Sequence, residues 1–292
     1  MSKLRVLDLF SGIGGFSLGL ERTGGFETVA FCEIAPFPRL VLAKHWPGVP
    51  CYHDVRELTA TRLAGDGIAV DVITGGFPCQ DISPAGLRGG MGEGTRSGLW
   101  SEIARLTSEL RPSYVIVENV ANLLAGPSEQ PGGWFGRVLG DLASIGYDAE
   151  WHCIPASAIG APHRRDRVWI VAYPQSERSI EARANSERPK KRSSGGSEIL
   201  ADATGSKARA AKPSDSDCAT RKERPIIVSS LRGRDGGLGG RDWDTEPSVR
   251  RVADGISANV DRVSALGNAV VPQIPELIGN AILASMQERV AA

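Results

Sequence analysis

A few residues in this chain could act together chemically. Cys79 stands in Gly75-Gly76-Phe77-Pro78-Cys79-Gln80, just after the apolar run Ala69-Val70-Asp71-Val72-Ile73. Two glycines release the backbone from strand geometry, and Pro78 fixes its own φ and biases Phe77 towards extended backbone. A stiff loop would then hold one thiol at the carboxyl end of a strand, as a nucleophile needs. A turn with a small buried cysteine is the plainer reading. Glu118 ends a second apolar run, Ser113-Tyr114-Val115-Ile116-Val117, and brings a carboxylate to the same rim. It could be a general acid or a structural strand-end residue. Arg164, Arg165 and Arg167 crowd the stretch Gly160 to Arg167. They could neutralise phosphate, orient a polarised base, or form a surface charge cluster.

A second group has the chemistry of nucleotide binding. Ser11-Gly12-Ile13-Gly14-Gly15-Phe16 lies between an apolar run and an amphipathic stretch, so backbone N–H groups can meet a ligand at a helix start. Ser17 stands where a third glycine would complete the dinucleotide fingerprint, which disfavours a dinucleotide. Glu33, roughly 20 residues beyond the loop, is where a ribose hydroxyl pair can be held. Asp54 could accept from an adenine amino group or simply cap the segment from Val55.

The elements that must position these groups alternate in type. Strands are expected at Leu4 to Phe10, Glu27 to Cys32, Ala69 to Ile73 and Ser113 to Val117, with a third strand end near His53 to Val55. Helices are expected after the glycine loop, from Phe37 to His45, from Leu99 to Leu110 and from Trp134 to Ile145. Tyr147 to Ile154 and Asp166 to Ala172 read as two further strands that could pair antiparallel. The order implies a doubly wound, mostly parallel α/β sheet, whose ligands bind at the carboxyl rim. Pro84 to Arg96, rich in glycine, has the composition of a mobile active-site loop or of a plain connection.

Composition changes at Tyr173. To about Pro225 the chain is polar, with few large apolar residues, the pattern of a loop or of a segment ordered only by a partner. Ile226-Ile227-Val228 reads as a short strand, Trp243 and Val249 to Val263 as more ordered, and Ile274 to Met286 as a closing helix. Lys+Arg and Asp+Glu both number 34 in 292 residues. From Tyr173 to Arg251, however, 17 basic residues face 12 acidic ones, and the rest of the chain carries the opposite bias. A mildly basic insert on a mildly acidic body could face phosphates or merely be well solvated. The five cysteines are Cys32, Cys51, Cys79, Cys153 and Cys218, with no C-x-x-C pair. That argues against a disulfide framework or structural zinc and for a reducing compartment. No signal-peptide pattern and no apolar run of membrane-spanning length is expected, so the reading is a soluble cytoplasmic protein without metal.

Taken together, these stretches resemble the DNA cytosine-5 methyltransferases, particularly the compact bacterial and phage forms. The resemblance covers about residues 4 to 172 and 262 to 286. It rests on Asp8-Leu9-Phe10-Ser11-Gly12-Ile13-Gly14-Gly15, Gly76-Phe77-Pro78-Cys79-Gln80, Glu118-Asn119-Val120, Arg165-Asp166-Arg167 and Gly267-Asn268-Ala269-Val270, in that order. It implies a Rossmann-like, S-adenosylmethionine-dependent fold with a catalytic domain over 1–172. A target-recognition region over 173–261 and a returning motif and helix over 262–292 would complete it. It implies that Cys79 adds to C6 of a flipped-out cytosine in duplex DNA and that Glu118 holds N3 and the exocyclic amine. Arg165 would clamp the base carbonyl and the position of Glu118, with Arg167 nearby. Phe10, Gly12, Gly14, Gly15, Glu33, Ile34, Asp54, Pro78, Leu99 and Asn268 would form the cofactor pocket, and Gln80, Ser83 and Asn119 would meet the substrate. The implied setting is a monomer in a bacterium or its phage-infected host, with a cognate restriction endonuclease as partner.

The chain departs from the family pattern in three places. His163 stands where many relatives have glutamine before the arginine pair. The usual Arg-x-Leu-Thr stretch is not visible, and Arg250-Arg251-Val252-Ala253-Asp254-Gly255 is the candidate for its place. The region between the arginine and closing motifs is short for a full target-recognition domain. A non-catalytic DNA-binding relative, an RNA-methylating branch and a hydrolase using Cys79 with His163 are the alternatives. Cys79, Glu118 and Arg165 together weigh against the first. The absence of a Cys-Phe-Thr stretch after Asn119 weighs against the second. The glycine loop and Glu33 would have no role in the third.

Overall fold

The structure, a computed structural model, describes residues 2–78, 99–126, 132–175 and 264–291. All but Gln175 belong to one compact unit. Cys79, Gln80, Ser83, the Pro84 to Arg96 loop, Ile226 to Val228, Trp243 and Arg250 to Gly255 lie outside the described residues.

Seven strands form one sheet: β1 (Leu4–Leu9), β2 (Phe26–Cys32), β3 (Cys51–Tyr52), β4 (Val72–Gly75), β5 (Tyr114–Val120), β6 (Tyr147–Pro155) and β7 (Asp166–Pro174). Their order is β3-β2-β1-β4-β5-β7-β6. The first five run parallel, and β7 pairs antiparallel with both β5 and β6. β1 lies between β2 on one side and β4 on the other. The chain reverses its direction of winding there, which opens a crevice at the carboxyl ends of the strands.

Side-chain alternation covers both faces of the sheet. Leu7, Leu9, Ile73, Val115 and Val117 point to one face, where Trp100, Ile103 and Leu106 of α4 (Trp100–Leu110) and Phe135, Val138 and Leu142 of α5 (Gly133–Ser144) meet them. Leu63 of α3 (Ala60–Gly65), a short helix capped by the Thr59 hydroxyl, joins the same cluster. Val6, Val72, Tyr114, Ile116, Trp169 and Val171 point to the other face. They pack on Phe16 and Leu20 of α1 (Gly15–Arg22) and on Ile274, Ile278 and Ile282 of α6 (Gln273–Ala291). α2 (Pro36–His45) starts at two prolines and buries Leu42.

One expectation needs amendment. Ser264–Glu288 is long and apolar enough to span a membrane by length and composition alone. Its Ile274, Leu277, Ile278, Ala281 and Ile282 are nevertheless buried, packed on the sheet and α1. α6 approaches α1 closely because glycine leaves room. A Cβ on Gly19 would lie 2.1 Å from the carbonyl oxygen of Pro272, and one on Gly279 would lie 3.0 Å from the Leu20 and Thr23 side chains.

Candidate active site

Register alone lines up the rim. Leu9 is level with Cys32 and with Gly75, and Gly75 is level with Val117. The next residues on four neighbouring strands are therefore Glu33, Phe10, Gly76 and Glu118. Three inter-strand spacings separate the two carboxylates, about 14 Å of rim.

Glu33 and the glycine loop build one end. Phe10 leaves β1 with φ +52°, and Gly12 follows at φ +54°. The Glu33 carboxylate accepts from Gly12 N–H at 2.8 Å and from Ala35 N–H at 2.8 Å, tying the loop to the end of β2. Ser11 N–H donates to the Cys32 carbonyl at 3.3 Å. Arg39 of α2 closes the far side, donating to the carbonyls of Glu33 at 3.0 Å and Tyr52 at 2.8 Å. A side chain on Gly12 would meet nothing within 4 Å, so the loop borders open space. Beside it Ile34 is 54% exposed, an apolar surface left uncovered next to a carboxylate. An open glycine cradle, a fixed acid and an adjoining apolar face suit an adenosine group, so these residues fit S-adenosylmethionine.

The other proposed pocket glycines have different work. A Cβ on Gly14 would lie 2.6 Å from the Trp46 ring, and one on Gly15 would lie 2.4 Å from the Val270 carbonyl oxygen. Their missing side chains leave room for Trp46 and Val270. Asp54 is the cap foreseen as its alternative: it accepts from Arg56 N–H at 3.0 Å and pairs with the Arg56 guanidinium at 2.6 Å. That pair holds its carboxyl below the ordinary value. Leu99 lies at the start of α4, partly buried against the cluster that includes Phe77. Asn268 is exposed in the segment before α6.

At the other end, the Glu118 side chain is 12% exposed and pairs with Arg167 Nε at 2.9 Å. Burial pushes the Glu118 carboxyl above its ordinary value, while Arg167 and then Arg165 pull it down. The net effect is an acid that keeps its proton more readily than a solvated one. Gly76 makes room for it, since a Cβ there would lie 3.2 Å from Glu118 Oε2.

Asn119, the next residue on β5, points to the opposite face and is 2% exposed. Its Nδ2 donates to the Phe77 carbonyl at 3.0 Å, and its Oδ1 accepts from Val120 N–H at 2.9 Å. The Phe77 ring is buried against Trp100, with centroids 5.7 Å apart, and Trp100 Nε1 donates to Asp141 at 2.8 Å. Asn119 thus fixes the root of the loop leading to Cys79. Strand alternation turns its side chain away from Glu118.

Arg165 also differs from expectation. It is Arg167 that holds Glu118, whereas Arg165 adopts φ +37° and donates to the carbonyls of Gly267 at 2.5 Å and Ala269 at 2.9 Å. The left-handed backbone turns the Arg165 side chain off the path that β7 would have given it.

One buried group was missed from sequence. Asp8 is fully buried between β1, β4 and α1, accepting from Thr74 Oγ1 at 2.7 Å and Ser17 Oγ at 2.9 Å. Burial pushes its carboxyl up to about 7 against these two donors. The signal was a carboxylate inside an apolar strand, and its partners are nine and 66 residues away. Among the described residues no cluster of His, Cys, Asp and Glu could hold a metal ion.

Comparisons with known proteins agree with this geometry. The family model described as C-5 cytosine-specific DNA methylase matches residues 4–232. The type II methyltransferase M.Sau3AI of Staphylococcus aureus is 36% identical over 185 residues, 60% of this chain and 44% of that protein. M.CviJI of Paramecium bursaria Chlorella virus IL3A is 36% identical over 169 residues, 58% of this chain and 42% of its own length. The chain thus spans less than half the length of these curated relatives. A crystal structure assigned as a DNA modification methyltransferase of an Escherichia coli prophage superposes with a TM-score of 0.50 at 29% identity, covering 61% of this chain and 48% of that one. With a model of that family matched over most of its length, the chain belongs to the C-5 cytosine-specific DNA methylases.

Proposed function

We propose that the protein transfers a methyl group to C5 of cytosine in double-stranded DNA, with S-adenosylmethionine as donor. The observation that carries this reading is Glu118: a desolvated carboxyl, charge-paired with Arg167, beside the glycine turn that leads to Cys79. When bound, the donor would supply an electrophilic methyl group, held by Glu33, Gly12 and Ile34 at the other end of the rim.

The chain's own residues account for the rest. C5 of cytosine is a weak nucleophile. Addition of the Cys79 sulfur at C6 forms an S–C bond and moves the C5–C6 electron pair onto C5 and the ring. A free thiol titrates near ~8.5, so the site must favour the thiolate, through arginines or backbone dipoles. Glu118 gives or shares a proton at N3 as negative charge builds there, which requires an acid still protonated near neutral pH. After C5 is alkylated it loses its proton to a base, the ring double bond re-forms, and the sulfur leaves. A stacked base cannot be gripped from both faces, so the cytosine must leave the duplex at a cost of a few kcal/mol. The type II names of the relatives support a role in restriction–modification with a cognate endonuclease, and the prophage neighbour supports a phage protective role. The basic bias from Tyr173 to Arg251 supports that region as the DNA-reading part.

The purified chain with tritiated S-adenosylmethionine and mixed-sequence DNA should yield labelled 5-methylcytosine. DNA containing 5-fluorocytosine should become covalently trapped, because fluorine cannot leave as the C5 proton does. Trapped sites, once sequenced, give the recognition sequence. Undiminished labelling by Cys79→Ser would overturn the mechanism.

A further inference from the structure

The two arginines that precede and open β7 do different work. Arg167 pairs with Glu118. The Arg165 guanidinium instead spans more than a hundred residues of sequence to grip two carbonyls, those of Gly267 and Ala269. These carbonyls flank Asn268. A planar guanidinium fork is suited to this, because it fixes both acceptors in one plane. Arg165 adopts a left-handed backbone, φ +37°, which a side chain of this size rarely tolerates without compensation. The two carbonyl bonds provide that compensation.

The same segment is pinned again just downstream. The Val270 carbonyl lies where a side chain on Gly15 would be, and the Pro272 carbonyl where one on Gly19 would be. Val270 and Val271 pack against the cluster around Phe16 and Leu20. Residues 267–272 are therefore held between Arg165 and the backbone of α1, the helix that follows the glycine loop. Asn268 is the exposed residue inside that fixed stretch.

We propose that Arg165 is a positioning residue for the methyl donor, setting Asn268 beside the glycine loop through the carbonyls of Gly267 and Ala269. It is not a clamp on the target base. This rests on the reading of the Gly12–Glu33 end as the S-adenosylmethionine site. Arg167 then pairs with the acid directly, while Arg165, whose charge also acts on Glu118, holds the cofactor wall.

The test is donor binding by the full chain without DNA, measured by calorimetry with S-adenosylmethionine. Arg165→Ala should weaken binding about tenfold, the scale of losing a pair of charge-assisted hydrogen bonds partly replaced by water. Arg165→Lys, which reaches one carbonyl only, should fall between it and the parent. The lysine variant carries the comparison should the alanine variant melt early. Asn268→Ala should weaken binding similarly, and Arg165→Ala added to it should cost little more, because the first residue acts through the second. At saturating donor, Arg165→Ala should lose much less of its 5-fluorocytosine adduct rate than Arg167→Ala does. Normal donor binding with loss of adduct would overturn the proposal and return Arg165 to the base. Additive losses in the double variant would overturn it too. Failure of the parent chain itself to bind the donor would instead sink the methyltransferase reading.

Discussion

The two ends of the rim solve opposite problems. At the Glu33 end, a carboxylate is satisfied by two backbone N–H groups and lies beside an open glycine turn and an uncovered isoleucine. At the Glu118 end, a carboxyl is withdrawn from water and opposed by one guanidinium, with its proton affinity raised. The first arrangement is a fully hydrogen-bonded acceptor beside open space, which suits binding. The second is costly to maintain and can exchange a proton. Binding is built from satisfied groups, and reactivity from groups left short of solvation.

Four substitutions would break or sharpen this contrast. Glu118→Gln is expected to act most strongly, lowering methyl transfer by about 10²- to 10⁴-fold while calorimetric donor affinity stays unchanged. An equal loss of donor affinity would erase the division between the ends. Glu33→Ala should do the reverse. Donor affinity should fall about 10- to 100-fold, and single-turnover rates at saturating donor should recover. Arg167→Ala tests the electrostatics of the acid end. Removing the cation takes away the main influence lowering the Glu118 carboxyl, so the carboxyl should hold its proton to higher pH. The alkaline limb of the rate profile should move upward even though the maximum rate drops. A limb that moves downward would show that Glu118 does not set it.

The smallest effect should come from Asp8→Asn, which belongs to neither end. Asp8 is raised from 3.8 to about 7, so the folded chain keeps a proton that the unfolded chain releases. Its stabilisation is full below pH 3.8 and is lost as pH rises towards about 7. The parent should therefore lose stability across that window, by on the order of a few kcal/mol at most, read as a falling melting temperature. The asparagine variant should show a flatter profile by scanning calorimetry.

Most of the sheet was legible because apolar runs ending in polar residues mark strands that finish at a functional rim. Glu33 and Glu118 could be named that way. The antiparallel strand pair was legible as two apolar stretches close together in the chain, whereas α3 was overlooked despite Thr59 standing as a cap before Leu63. Asn119 could have been placed correctly, since a period of two sets it opposite Glu118. The different partners of Arg165 and Arg167 could not. They lie two residues apart, on one face by pattern, and only the backbone reversal at Arg165 and the register of β7 against β5 separate them. Gly14 and Gly15 show a related ambiguity. Local sequence shows that a side chain is absent, but not whether a ligand or Trp46 fills the space. The thiol loop itself lies outside the described residues, so its placement rests on the Gly76, Phe77 and Asn119 contacts that lead to it.

The docking of α6 on α1 has a consequence for how such chains diversify. One face of the sheet is covered by a helix drawn from beyond the stretch between Pro174 and Ser264, and that junction is secured by glycine contacts and by Arg165. Bringing two distant strands of chain together costs entropy that grows only with the logarithm of the intervening length, about 0.6 kcal/mol per doubling. The body should therefore tolerate exchange or lengthening of that stretch with little thermodynamic penalty. If that stretch is the DNA-reading part proposed above, a lineage could change its target sequence while leaving the chemistry of the body untouched.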